Sequence, residues 1–210
     1  MKLLVVAPTE MEIVPFLKQH DQPDILITGP GAPGMIYHLT KKILTEKYDL
    51  AIQARIAGTF DNCFTLEEVV LVKEDTSADL GMDENGCFRT LFETGFIDNN
   101  DWPYTDGRLV NSHPIFDTTK LPVANALTVN KITSDPSQIK MMQQKFAAEV
   151  ESMEGAAFHY VCLQENIPFL QIRAISNTVG ERDKAKWRIK NAVANLNREL
   201  LEIIEELRML

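Results

Sequence analysis

The chain is poor in the residues that would build a disulfide framework, a zinc site or a basic surface. Its 3 cysteines, Cys63, Cys87 and Cys162, are far apart and odd in number. They form no C-x-x-C or zinc-like spacing, which fits an intracellular protein with free thiols. With 4 histidines, no Ser-His-Asp or Cys-His arrangement stands out, and a G-x-S-x-G elbow is absent. Asp79, Asp83 and Asn85 imitate the start of a calcium loop, but ligand order and the terminal glutamate spacing fail. Basic residues number 21 against 30 acidic, a formal charge of −9, which argues against a broad nucleic-acid-binding face. Long apolar runs are missing as well. The opening MKLLVVAPTE is too short for a signal peptide and meets acidic residues at once, and no stretch approaches a membrane span. The expectation is a cytoplasmic protein with no membrane or nucleic-acid partner, no metal and no cofactor.

What is present is a 45% hydrophobic chain in which short β-branched runs alternate with helical periodicity. Lys2 to Ala7, Asp24 to Thr28, Leu50 to Ile56, Glu67 to Lys73, Ala124 to Thr133, Ala147 to Glu151 and Phe169 to Ile175 read as strands. Helices are expected from Glu10 towards Gln19 with Pro15 in the first turn, and over Met35 to Glu46, Pro136 to Gln144, Glu154 to Glu165 and Lys184 to Leu207. No repeat, low-complexity tract or linker divides the chain, so residues 1–210 are read as one α/β domain. Thr76 to Pro122 is the least regular region, and its Phe88, Phe92, Phe96, Trp102 and Tyr104 suit either a pocket cover or a loop folded on its own core.

Gly29-Pro-Gly31-Ala-Pro-Gly34 matches G-x-G-x-x-G in letters only. Two prolines intervene, and Asp49 precedes the next strand instead of ending it, so nicotinamide and flavin are not expected. A tight glycine turn that admits close backbone approach remains.

Polar groups gather where strands end, the address at which open parallel sheets bind ligands. One set is Glu10 or Glu12, a second is Glu151 or Glu154 in AAEVESMEGAAFHYVC, and the third is Asn177. Small residues after Glu154 permit close packing at a helix start, whose amides favour an anion. Carboxylate chemistry follows: one carboxylate activating water, another holding sugar hydroxyls, and an amide reading a heterocycle edge. Arg55, inside an apolar strand, is expected either on the pocket side or paired with a carboxylate at a subunit contact, since a lone buried guanidinium is costly.

On VVAPTEMEI (Val5 to Ile13), IAGTF (Ile56 to Phe60), ESMEGAAF (Glu151 to Phe158) and IRAISNTVGERDKAKW (Ile172 to Trp187), nearly the whole chain resembles the purine nucleoside phosphorylase and nucleosidase superfamily, and within it the futalosine-hydrolysing branch. The resemblance implies a three-layer α/β/α sandwich with a mixed, partly barrel-like, nucleoside phosphorylase-like sheet. It implies hydrolysis of a purine–ribose bond in a homodimer or higher homo-oligomer, without a cofactor and with a small nucleoside as substrate. By motif, Glu12 positions and deprotonates the water, Met153 packs on the ribose, and Glu154 binds its hydroxyls. Ala57 and Gly58 lie near base or ribose, and Phe146 covers the base. Asn177 stands where adenosine-type nucleosidases carry aspartate, which points to a 6-oxopurine such as hypoxanthine. Gln53-Ala54-Arg55 departs from the smaller lead-in the resemblance implies. It leaves Arg55 and Arg182 as alternative contacts for the carboxylate of futalosine, with Arg55 also a candidate for an oligomer interface.

Overall fold

The computed structural model describes residues 1–19, 22–61 and 63–209. In chain order the strands are β1 (Leu3–Ala7), β2 (Asp24–Ile27), β3 (Leu50–Thr59), β4 (Val69–Asp75), β5 (Gly81–Glu84), β6 (Cys87–Thr90), β7 (Leu109–Val110), β8 (Val123–Thr128), β9 (Val150–Ser152) and β10 (Phe169–Thr178). The helices are α1 (Val14–Leu17), α2 (Ala32–Thr45), α3 (Pro136–Phe146), α4 (Gly155–Gln164) and α5 (Ile189–Arg208). Single 3-10 turns cover Glu10–Glu12, Pro114–Thr118 and Lys184–Lys186.

Strands β10, β4, β8, β9 and β3 hydrogen-bond in that order, and β10 also pairs with β3, so the five close on themselves as a barrel. β1 and β2 extend from β3 as a parallel wing. One face carries α1 and α5, burying Phe16, Leu196, Leu200 and Ile204 against Val5, Ile52 and Ile172. The other carries α2 and α4, burying Met35, Leu39, Phe158 and Val161 against Leu4, Val6 and Ala51. This is the expected three-layer sandwich with a partly barrel-like sheet. Apolar stripes on the helices and continuous apolar strands leave few other ways to cover both sheet faces.

Differences from expectation cluster at element ends. α2 begins at Ala32, three residues early, because Pro33 falls in its first turn, where the missing N–H costs nothing. β3 runs on through Ala57-Gly58-Thr59 and β10 through Ser176-Asn177-Thr178, because each completes the other's ladder as the barrel closes. α5 opens at Ile189 and not at Lys184, because Lys184–Lys186 form a separate 3-10 turn capped by Asp183. The irregular region contains the β5–β6 hairpin, and Phe92 packs edge-on against Tyr104, which reaches Tyr160 of α4. No helix among the described residues is long and apolar enough to cross a membrane.

Candidate active site

Of the two acidic candidates after β1, Glu10 is exposed and Glu12 is 2% exposed. The turn turns Glu12 inward and α5 holds it there. Asn197 donates to the Glu12 carbonyl at 2.8 Å and accepts from the Phe16 amide at 2.9 Å. The carboxylate itself accepts from Thr9 Oγ1 at 3.0 Å and from Arg55 Nε at 3.2 Å.

Glu154 is fully buried at the N-cap of α4. Its Oε1 accepts from the Gly31 amide at 2.6 Å, at the head of α2, and its Oε2 faces Arg55 Nη1. The glycine turn therefore brings a helix-terminal N–H onto a carboxylate of this chain, a contact favoured by the partial positive charge of that terminus. Gly31 has φ of 91°, the left-handed region where glycine is at ease, and a Cβ on Gly34 would lie 2.6 Å from the Thr28 carbonyl. The turn has room for neither a different backbone nor a larger third glycine position.

Arg55 thus bridges Glu12 and Glu154. Burial lowers its pKa and the Glu12 charge opposes that shift. Beneath it, fully buried Arg173 donates to Gln53 Oε1 at 2.5 Å and to the Ile172 carbonyl at 3.1 Å; burial, with the Arg55 charge, brings it down to about 9. Two guanidiniums and two carboxylates therefore share one buried corner, and each charge has an opposite one close by.

A cleft opens beside this corner, lined by Arg55, Ala57, Gly58, Met153, Asn177 and, at its exposed rim, Arg182. Glu151, Trp187 and Glu181 also line its wall. Asn177 sits just past a β-bulge at Ser176. Its Oδ1 accepts from Ser176 Oγ at 2.8 Å and its Nδ2 donates to the Thr178 carbonyl at 2.9 Å. The amide is thereby oriented with one N–H left over for a ligand. Gly58 makes room for it: an added Cβ would stand 3.3 Å from Asn177 Nδ2 and 3.0 Å from Val179.

The structure brings Ala57, Gly58, Met153 and Asn177 onto one cleft and sets Glu12 and Glu154 immediately behind Arg55. Phe146 is the exception. It closes α3 and is 8% exposed in an apolar cluster with Phe60, Leu127, Met142 and Val179, so it does not line the cleft. An apolar aromatic gains more from that core than from a wet wall. Arg55 is not available to a distal carboxylate in this state, since both sides of its guanidinium are taken by this chain's own glutamates. The aromatics of the irregular region do not line the cleft either.

Four contributors were missed in the sequence: Asn197, Thr128, Asp75 and Gln171. Asn197 lies within the apolar stripe of α5, and a polar residue at a core-facing position was the available signal. Thr128 donates to Asp75 at 2.9 Å and accepts from the Ala156 amide at 2.8 Å, and Gln171 donates to Asp75 at 3.0 Å. Burial raises Asp75 to about 6 against those hydrogen bonds. This network fixes the start of α4, and with it Glu154.

Comparison with known proteins places the site in context. Residues 101–205 match the family described as the phosphorylase superfamily. The chain is 28% identical to the futalosine hydrolase of Thermus thermophilus, over 97% of this chain and 95% of that protein. The solved futalosine hydrolase of Helicobacter pylori superposes with a TM-score of 0.80 at 13% identity, covering 98% of each chain. The 5'-methylthioadenosine/S-adenosylhomocysteine nucleosidase of Neisseria meningitidis, solved with methylthio-immucillin-A, gives 0.79 at 17% identity over 97% of this chain and 99% of the other. At those identities the solved structures speak to the fold.

Proposed function

Because the chain belongs to the phosphorylase superfamily, we propose that it is a nucleosidase that hydrolyses the N-glycosidic bond of futalosine, releasing hypoxanthine and dehypoxanthine futalosine in menaquinone biosynthesis. The observation that carries this reading is the convergence of Glu12 and Glu154 on Arg55, beside a cleft that the amide of Asn177 lines. It is supported by the futalosine hydrolase relative that matches along almost the whole chain.

Glu12 orients and deprotonates a water that attacks the ribosyl carbon. Glu154 accepts from the sugar diol, and its negative charge favours the oxocarbenium-like build-up at that carbon. Met153 packs on the ribose, Ala57 and Gly58 admit the nucleoside against the backbone, and Asn177 donates its remaining N–H to the 6-oxopurine edge. Arg182, exposed at the rim, suits the carboxylate at the far end of futalosine. The enzyme works in the cytoplasm as a homo-oligomer.

The decisive assay follows base release in phosphate-free buffer. Futalosine is expected to yield hypoxanthine at a rate unchanged by added phosphate and above that of methylthioadenosine. Release that requires phosphate would make the enzyme a phosphorylase, and preference for methylthioadenosine would make it the other nucleosidase. Asn177→Asp tests the base edge. It should lower the ratio of 6-oxopurine to 6-aminopurine turnover about tenfold, because a carboxylate repels the oxo group and accepts from an amino group. An unchanged ratio would remove Asn177 from specificity.

Arg55 stands between the cleft and both glutamates, so the diol reaches Glu154 only when the guanidinium turns aside. Arg55→Ala is expected to lower KM about tenfold, the scale of one charged hydrogen bond no longer displaced on binding. Arg173 remains beneath to offset the carboxylates. A raised KM would place the guanidinium on the substrate instead.

A further inference from the structure

Asn177 can donate a hydrogen bond but is no general acid, yet a purine leaves most readily when a ring nitrogen is protonated as the glycosidic bond breaks. One group in the cleft is suited to supply that proton. Gly58 is the register neighbour of Glu151 on one side, in β9, and of Asn177 on the other, in β10. Strands lie about 4.8 Å apart, so the two flanking residues stand about 10 Å apart across a glycine that puts no side chain between them. That gap lies in the cleft wall, with Asn177 at one edge and Glu151 at the other. Glu151 is 8% exposed and its Oε2 has no hydrogen-bond partner. A carboxylate oxygen buried in a cleft wall with no partner from its own chain is free to meet a bound molecule.

We propose that Glu151 is a further catalytic residue, the general acid that protonates the departing purine. The proposal rests on the nucleosidase reading above. As the bond between ribosyl carbon and purine nitrogen breaks, its electron pair goes to the base, and the Glu151 carboxyl proton passes to a ring nitrogen. Water adds to the ribosyl carbon and its proton goes to Glu12. Exchange with solvent then returns Glu12 to the carboxylate and Glu151 to the acid.

The surroundings suit that cycle. Burial pushes Glu151 up to about 7, the Asp79 charge pushes in the same direction, and Arg182 opposes both. Arg55 and Glu181 are the other charged groups on the cleft wall. Leu127 of β8, its remaining register neighbour, carries no charge.

The test is the pH profile of kcat for hypoxanthine release from futalosine, for the unaltered enzyme and for Glu151→Gln. An acid must be protonated to act, so the unaltered enzyme should lose activity about tenfold per pH unit above pH 7. Glu151→Gln should be about 100-fold slower at pH 6, lack that alkaline limb, and converge on the unaltered enzyme as pH rises. A merely structural role for Glu151 would slow the reaction equally at every pH, and that result overturns the proposal. So does an unaltered enzyme whose profile stays flat to pH 9, an outcome that needs no variant to fold. Absence of futalosine turnover at every pH would overturn the reading of futalosine as substrate, and the acid role in its hydrolysis with it.

Discussion

Glu12→Gln is expected to lower kcat by about 10²- to 10⁴-fold while leaving KM nearly unchanged. The side chain is 2% exposed and its place is set by three independent elements: Thr9 before it, Arg55 on β3 and Asn197 on α5. Glutamine is close to isosteric and keeps the acceptor that Thr9 or Arg55 uses, so folding and diol binding by Glu154 should survive. What disappears is the ability to take a proton from water. Steady-state rates of hypoxanthine release, with KM measured in the same series, check this. A variant that keeps full kcat would show that the water is activated elsewhere. A variant that loses affinity and rate together would make Glu12 a binding residue.

Gly155→Ala should be the most damaging small change to stability. A Cβ at this position would sit 2.1 Å from Asp75 Oδ2, 2.6 Å from Gln171 Nε2 and 3.0 Å from Ser152 Oγ. None of these is the free end of a long side chain. Asp75 is held by Thr128 and Gln171, and Ser152 Oγ accepts the Gly155 amide at 3.2 Å. The methyl group must either push the first turn of α4 outward or break buried hydrogen bonds, at a cost of about 3 kcal/mol or more. For a chain of this size that is a fall in Tm of about 6–12 °C. Because Glu154 directly precedes Gly155, kcat should fall in the surviving folded fraction as well. Thermal melting and active-site titration separate the two effects. A variant that melts within a degree of the parent would mean that α4 repacks freely, contrary to the close contacts at its start.

The two glutamates and the strands that carry them were legible in the chain because each signal is local. A short β-branched run from Leu3 to Ala7 ending at Pro8-Thr9 places Glu12 at a strand exit whatever lies opposite it. The tiny residues after Glu154 announce a close approach at a helix start. The alternation of such strands with amphipathic helices such as α5 is enough to call for a sheet covered on both faces. Asn177 was legible for the same reason, as a polar residue following the apolar run of β10. The local residues did not choose between Glu10 and Glu12, since which carboxylate is buried depends on what packs over it, nor did they show that Glu151 and Glu154 are both buried.

Tertiary structure decided what crosses between elements. Closure of the five-stranded barrel carried β3 and β10 past their apparent ends and lined up Glu151, Gly58 and Asn177 across three strands. No sequence pattern encodes that row, because register between distant strands is set by the whole sheet. Phe146 joined the core beside Val179, a position that burial chose over its proximity in sequence to the site. For Arg55 the local chemistry left a pocket-side place or a carboxylate at a subunit contact, and it did not point to carboxylates of the same chain. The fold supplied two, from the turn after β1 and the head of α4, because those ends meet at one corner of the barrel. A sequence names the groups that must find partners; long-range packing determines which partners they are.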